Sequence, residues 1–308
     1  MILPVEYIDR NNNVILQNHR LTRLAFAKHF GLAGQFFAPS LNKLFRSIGF
    51  FFIYSPYFQK NDFNNNRFSE PPIFLSNPTE KGHFSNKAGI AIADFLSKRI
   101  DNSILTVTYE AAMRYHNIPI RNSHPDLLAF NKNDLFAIEV KGSSKNTVDM
   151  TGAKTQSTSG GINVNFSVAC ASYNLYNNIK CKYYDPVDNN FKYDSNLLEG
   201  LSKSYYKGLS EYLNEDYFEI NEFNFQNEKF HEIGLFNKYF RHLLGFSIHN
   251  EQLTNILDIY SPKLLLPEKI FDFAQNGISR DTLPFIMNPN DKESNIYIDN
   301  DRVGLKII

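Results

Sequence analysis

Apolar and polar positions change period along the chain, and the changes mark out the elements. Between Asn18 and Phe37 the residues Leu21, Leu24, Ala25 and Phe26 recur at helical spacing with Arg20, Arg23 and Lys28 among them, which predicts an amphipathic helix. Gly49 to Tyr54 is an aromatic and β-branched run ended by Ser55-Pro56, the pattern of a buried strand, and polar residues 60–72 read as a loop or linker. Ser85 is placed to cap a helix reaching Ile100, because Ala88, Ile92, Phe95, Leu96 and Ile100 form one apolar stripe. Three strand-like segments follow, Ile104 to Ala112, Asp126 to Phe130 and Leu135 to Lys141. Beyond a Ser-, Thr- and Gly-rich stretch, Phe166 to Ala171 and Ile179 to Tyr184 continue the pattern. Leu197 to Leu213 and Leu235 to Ile259 predict helices, and Ile296 to Ile308 predicts two short strands around Asn300 and Asp301.

This order divides the chain into a basic, aromatic-rich region at 1–72, an α/β core at 78–190 and a mainly helical region at 195–308. Composition changes that picture only locally. Lys+Arg and Asp+Glu both number 32, so no bulk charge draws the chain to nucleic acid. Residues 1–60 nevertheless carry seven Lys/Arg against two Asp/Glu, while residues 201–308 carry eleven against sixteen. The front end is therefore the better place for a nucleic-acid patch, and the acidic end for packing, oligomerisation or a protein partner. Two cysteines, Cys170 and Cys181, are too few for a disulfide framework. With no basic leader ahead of an apolar run, and IGFFFIY too short to span a bilayer, the expectation is a cytoplasmic protein.

The chemistry concentrates in HPDLLAFNKNDLFAIEVKGSS, residues 124–144. Glu139 and Lys141, two apart on a strand, project from one face, and Phe136, Ile138 and Val140 from the other. If residues 131–134 form a hairpin loop, Phe130 faces Leu135 and the register carries Asp126 opposite Glu139, with Cβ atoms about 4.5–5.5 Å apart. Two carboxylates at that separation repel unless a cation lies between them. Hard oxygen ligands suit Mg2+, with Mn2+ as the alternative, and the Val140 carbonyl can add a further oxygen. Lys141 then stands where an ammonium stabilises phosphate charge and positions water. The competing reading is a surface hairpin with cross-strand ion pairs.

Pro125-Asp126, thirteen residues before Glu139-Val140-Lys141, resembles the signature of the PD-(D/E)XK nucleases, the restriction-endonuclease-like superfamily, over residues 80–185. The resemblance implies a central mixed sheet flanked by helices, here with N-terminal and largely helical C-terminal additions. It also implies Asp126 and Glu139 as metal ligands and Lys141 as the catalytic lysine. Such proteins often add a carboxylate from the helix before the first core strand. Glu80 ranks first for that role, with Asp94, otherwise a solvated helix flank, and Glu110, otherwise an edge charge on a strand, as alternatives. Lys154 and Gln156 resemble the substrate-contacting helix that follows the lysine, although Gly152, Gly160 and Gly161 equally suit a flexible loop. Ser143 and Ser144 are candidate hydrogen-bond donors to phosphate, and His124 a packing or substrate-contact residue. The function implied is a Mg2+-dependent DNA endonuclease in restriction, defence or DNA processing. RNA cleavage and a non-catalytic nucleic-acid-binding or scaffold protein are the alternatives.

Overall fold

The computed structural model describes residues 1–9, 11–34, 54–70, 78–120, 123–188, 193–216, 218–234, 262–279 and 295–307. The expected strand at 49–54, apart from Tyr54, and the expected helix at 235–259 lie outside the described residues. Among the described residues no helix is long and apolar enough to cross a membrane.

Among the described residues a seven-stranded mixed sheet organises the chain. Its strands are β1 (Ile2–Ile8), β2 (Val14–Arg20), β3 (Leu105–Thr108), β4 (Leu127–Phe130), β5 (Leu135–Gly142), β6 (Phe166–Tyr173) and β7 (Lys180–Asp188), in the order β2-β1-β7-β6-β5-β4-β3. The β1–β7 and β5–β6 pairs are parallel and the others antiparallel. Every residue of β4 is buried, as are the first six of β5, so both strands read as apolar runs from the sheet interior, interrupted by Glu139 alone. The N-terminal residues are part of this sheet and not a region beside it, since β1 inserts between β2 and β7. Cys170 on β6 and Cys181 on β7 are free and buried.

Helices cover both faces. Helix α1 (Arg23–Leu32) starts at Thr22, whose side chain accepts the Ala25 N–H. A short 3-10 turn (Ser55–Phe58) and α2 (Lys60–Asn64) lead to α3 (Pro78–Ile100), which begins before the predicted Ser85 and so takes in Glu80. Gly89 of α3 meets Gly142 of β5 closely enough that a Cβ on Gly142 would overlap the Ser85 carbonyl oxygen. Close backbone approach is thus the use of Gly142, and it fixes α3 against the face bearing Phe136, Ile138 and Val140.

The structure corrects two expectations and decides between two alternatives at a third position. The predicted strand from Ile104 to Ala112 ends at Thr108. The β-branched run stops there, and the helix formers from Glu110 to Arg114 build α4 (Tyr109–Tyr115), so Glu110 is helical. Asp149 caps a regular helix α5 (Met150–Ser157) where a loop was equally expected. The C-terminal region is not mainly helical among its described residues. Beside α6 (Ser195–Ser210) and α7 (Ile270–Asn276) it holds an antiparallel sheet of β8 (Glu219–Phe225), β9 (Glu228–Gly234), β10 (Lys263–Pro267), β11 (Ile296–Ile298) and β12 (Gly304–Lys306). Gln226 and Asn227, both at positive φ (49° and 64°), form the two-residue turn between β8 and β9. The two closing strands around Asn300 and Asp301 match the sequence pattern.

A fully buried ionic network joins this C-terminal hairpin to the core. Lys28 on α1 donates to Asp299 at 2.6 Å and to Asp301 at 2.7 Å, and Lys98 on α3 reaches the same two carboxylates at 2.9 and 3.1 Å. Asp94, expected on a solvated flank, is buried and accepts from Thr106 at 2.8 Å while contacting His29 at 2.6 Å. Burial alone would raise the Asp94 carboxyl, but Lys98 and His29 outweigh it and hold it well below the ordinary range. Tyr205 on α6 donates to Asp301 at 3.0 Å, and Asn300 to the Ser103 carbonyl at 2.9 Å just before β3. Removing one partner leaves ammonium groups buried and underpaired. Asp299→Asn is therefore expected to cost about 3–5 kcal/mol in urea denaturation. Asp62→Asn, which breaks an ion pair with partly exposed Arg67, should cost no more than about 1 kcal/mol. Equal losses would mean that the network is not the joint.

Candidate metal centre

The site begins with a turn. The Asn131 side-chain oxygen accepts the N–H groups of Asn133 at 2.8 Å and Asp134 at 2.6 Å, and the Asn131 N–H closes on the Asp134 carbonyl at 3.0 Å. That loop pins Phe130 opposite Leu135, and the ladder runs to Leu127 opposite Ile138, the register expected from the sequence. One step further brings Asp126 to Glu139, where regular pairing gives way. The Asp126 N–H donates to the Ile138 carbonyl at 3.1 Å, and its carboxylate takes the Val140 N–H at 2.8 Å. N–H and C=O of one strand residue point to the same side, so the Val140 carbonyl is also directed toward the Asp126 edge of β5.

Glu139 lies beside Asp126 with a side-chain exposure of 0%. Lys141 Nζ donates to its Oε1, while Oε2 is buried without a hydrogen-bond partner. Burial, then the Asp126 charge, push the Glu139 carboxyl up to about 7 against the opposing pull of Lys141. Burial raises Asp126 as well, opposed by the Val140 N–H and Lys141. Two adjoining carboxyls that both resist ionisation, one with an orphaned oxygen, fit a divalent cation held by Asp126, Glu139 and the Val140 carbonyl. Among the described residues no group of three or more His, Cys, Asp and Glu side chains is arranged to hold a metal ion, so the remaining ligands at such a site would be water or substrate oxygens.

Helix α5 roofs the pair. Its Gln156 lies with Oε1 3.5 Å from Lys141 Nζ and donates through Nε2 to the His124 carbonyl at 3.0 Å. It thereby ties the lysine to the segment that carries Asp126. Lys154 turns elsewhere, stacking 3.4 Å from the centroid of the Tyr184 ring on β7. The Ser143 hydroxyl oxygen accepts the Lys145 N–H at 3.1 Å and closes the turn after β5.

The third carboxylate is where sequence and structure part. Glu80 is not brought to the pair. Its charge acts on the phenols of Tyr54, Tyr57 and Tyr176, and α3 packs on the opposite sheet face from Glu139. Asp94 sits in the buried network on that same opposite face. Glu110 comes nearer, 3.6 Å from His124 Nε2, and the His124 ring stacks parallel on Tyr109 (centroids 6.1 Å apart) next to Pro125. Nothing in the local pattern signals this Tyr109–His124–Glu110 group, because it forms only where the chain turns from β3 into α4. No family model, curated protein or solved structure matches the chain.

The electrostatics set a pH dependence. Glu139 has an ordinary value of 4.5 and a folded value of about 7. Between these the folded protein keeps a proton that the unfolded chain releases. The stability from this group is therefore complete at low pH and is lost as pH rises through about 7. A cation held between the carboxylates would replace that proton. Mg2+ is expected to raise the thermal midpoint at about pH 8 by a few degrees and at about pH 5 much less. In Glu139→Gln the Mg2+ response at the higher pH should disappear. An undiminished response in this variant would place the cation elsewhere.

Proposed function

We propose that the chain is a divalent-cation-dependent nuclease of the PD-(D/E)XK kind, acting on DNA phosphodiesters through Asp126, Glu139 and Lys141. The observation that carries this reading is the orphaned, buried Glu139 oxygen beside Asp126, on a hairpin whose register leaves Lys141 at the rim. Bound Mg2+ supplies charge neutralisation and activates water by lowering its pKa. The chain's own residues do the rest. When ionised, Asp126 and Glu139 can only accept, so they hold positive charge at one edge of β5. The Val140 N–H fixes the Asp126 carboxylate, and the apolar side chains around the hairpin keep the pair in a low dielectric where its field is strong. The Lys141 side chain is 41% exposed, so its ammonium can meet a phosphate oxygen arriving from solvent and orient an attacking water. Gln156 restrains that ammonium from above.

The Lys141–Glu139 ion pair, and the lack of a third ligating side chain grouped with the two carboxylates among the described residues, favour a second reading, a nuclease-like core that binds without turnover. Single-turnover assays on duplex DNA, single-stranded DNA and RNA, with Mg2+ or Mn2+, separate the two. Wild-type protein is expected to cleave DNA. Asp126→Asn, Glu139→Gln and Lys141→Met should each lower the rate by on the order of 10²-fold or more while retaining DNA binding and fold. Cleavage of RNA alone would reassign the substrate. Binding without cleavage by folded wild-type protein would establish the second reading, and wild-type rates in all three variants would move the chemistry to another site.

A further inference from the structure

Among the described residues, the two edges of the large sheet differ. The β3 edge lies next to the C-terminal turn through the Asn300–Ser103 bond, whereas β2 at the other edge presents Val14, Ile15 and Leu16 with exposures of 61%, 41% and 82%. Ile2, its β1 neighbour across from Arg20, is also exposed. Edge strands of this kind are usually blunted by lysine, proline or a bulge. β2, VILQNHR, contains no lysine or proline and pairs with β1 without a break in register.

The pattern around this edge is self-complementary. Residues 11–19 read Asn-Asn-Asn-Val-Ile-Leu-Gln-Asn-His, three polar, three apolar and three polar, centred on Ile15, with no Asp, Glu, Lys or Arg among them. An antiparallel copy laid against β2 about a two-fold axis at Ile15 sets Val14 opposite Leu16 of the second copy, Ile15 opposite itself and Asn13 opposite Gln17. Each exposed apolar side chain of β2 then meets an apolar one, and the central paired stretch, residues 13–17, opposes no like charges. The backbone agrees. The Leu21 N–H bonds the Met1 carbonyl, whereas the Ile2 N–H points away from β2 to the Asn66 side chain at 2.6 Å. By alternation along the register, Val14 and Leu16 aim their N–H and C=O groups outward, in the positions that a Val14–Leu16 hydrogen-bonded pair requires.

We infer that two copies of this chain associate through β2, edge to edge, in an isologous antiparallel pairing centred on Ile15. The sheet then runs continuously across both copies. The two-fold axis, perpendicular to the sheet, keeps the face bearing Glu139 on the same side in each.

Sedimentation velocity and oxidative cross-linking of the full chain test this. Wild-type protein is expected to be dimeric, and Leu16→Lys, at a position exposed enough to leave the fold intact, to weaken the dimer about tenfold or more. Phe271→Ser, at an exposed apolar position on α7, should leave association unchanged. Ile15→Cys places two thiols opposite each other at the axis and should give a covalent dimer under mild oxidation. Gln17→Cys, which faces Asn13 of the second copy, should not. A monomer at the highest soluble concentration would overturn the inference. So would a dimer indifferent to Leu16→Lys, or a covalent dimer formed by the Gln17→Cys variant and not by Ile15→Cys, since the edge or the register would then be wrong.

Discussion

Two carboxylates forced together in an apolar setting are the constraint around which the candidate site is built. Asp126 and Glu139 meet because the Asn131 turn fixes the hairpin register, and they stay close because Leu127, Phe130, Leu135 and Ile138 bury the strands that carry them. A register slip of one residue would turn Glu139 to the α3 face and Ile138 to the site, so the packing that stabilises the sheet also enforces the repulsion. Part of that repulsion is relieved within the chain, by the Val140 N–H on Asp126 and the Lys141 ammonium on Glu139. The Glu139 Oε2 atom is left over, and this unmet demand gives the cation reading its physical content.

The second concentration of buried charge has the opposite character. Lys28, Lys98, Asp299 and Asp301 satisfy one another at hydrogen-bond distance, with Tyr205 adding a further donor. Completed networks of this kind fix a unique arrangement of elements, whereas an incomplete one invites a ligand. The molecule thus contains a saturated cluster that docks the C-terminal hairpin on α1 and α3, and an unsaturated pair at the end of β4 and β5.

How much of this could be read from sequence depended on the range of the interactions. The β4–β5 register was legible because it rests on a local turn and on alternation within twenty residues, and the pairing of Asp126 with Glu139 came with it. The helix at 195–210 and the closing hairpin around Asn300 were legible from apolar spacing alone. The burial of Asp94 was not, because its neighbourhood is assembled from residues as distant as Lys28 and Asp299, 271 positions apart. Glu80 was misplaced for a related reason. Which sheet face α3 covers is decided by the contact of Gly89 with Gly142, and periodicity within the helix carries no record of it. The β8–β9 hairpin left a weak trace, since its left-handed turn is built from Gln226 and Asn227 without glycine.

Anomalous diffraction from crystals soaked in Mn2+ tests the central claim most directly. The account predicts a peak within coordination distance of the Asp126 and Glu139 carboxylates and the Val140 carbonyl, with Lys141 withdrawn from Glu139 Oε1. A Mn2+ site elsewhere, or an undisturbed Lys141–Glu139 pair with no ion beside it, would contradict the account.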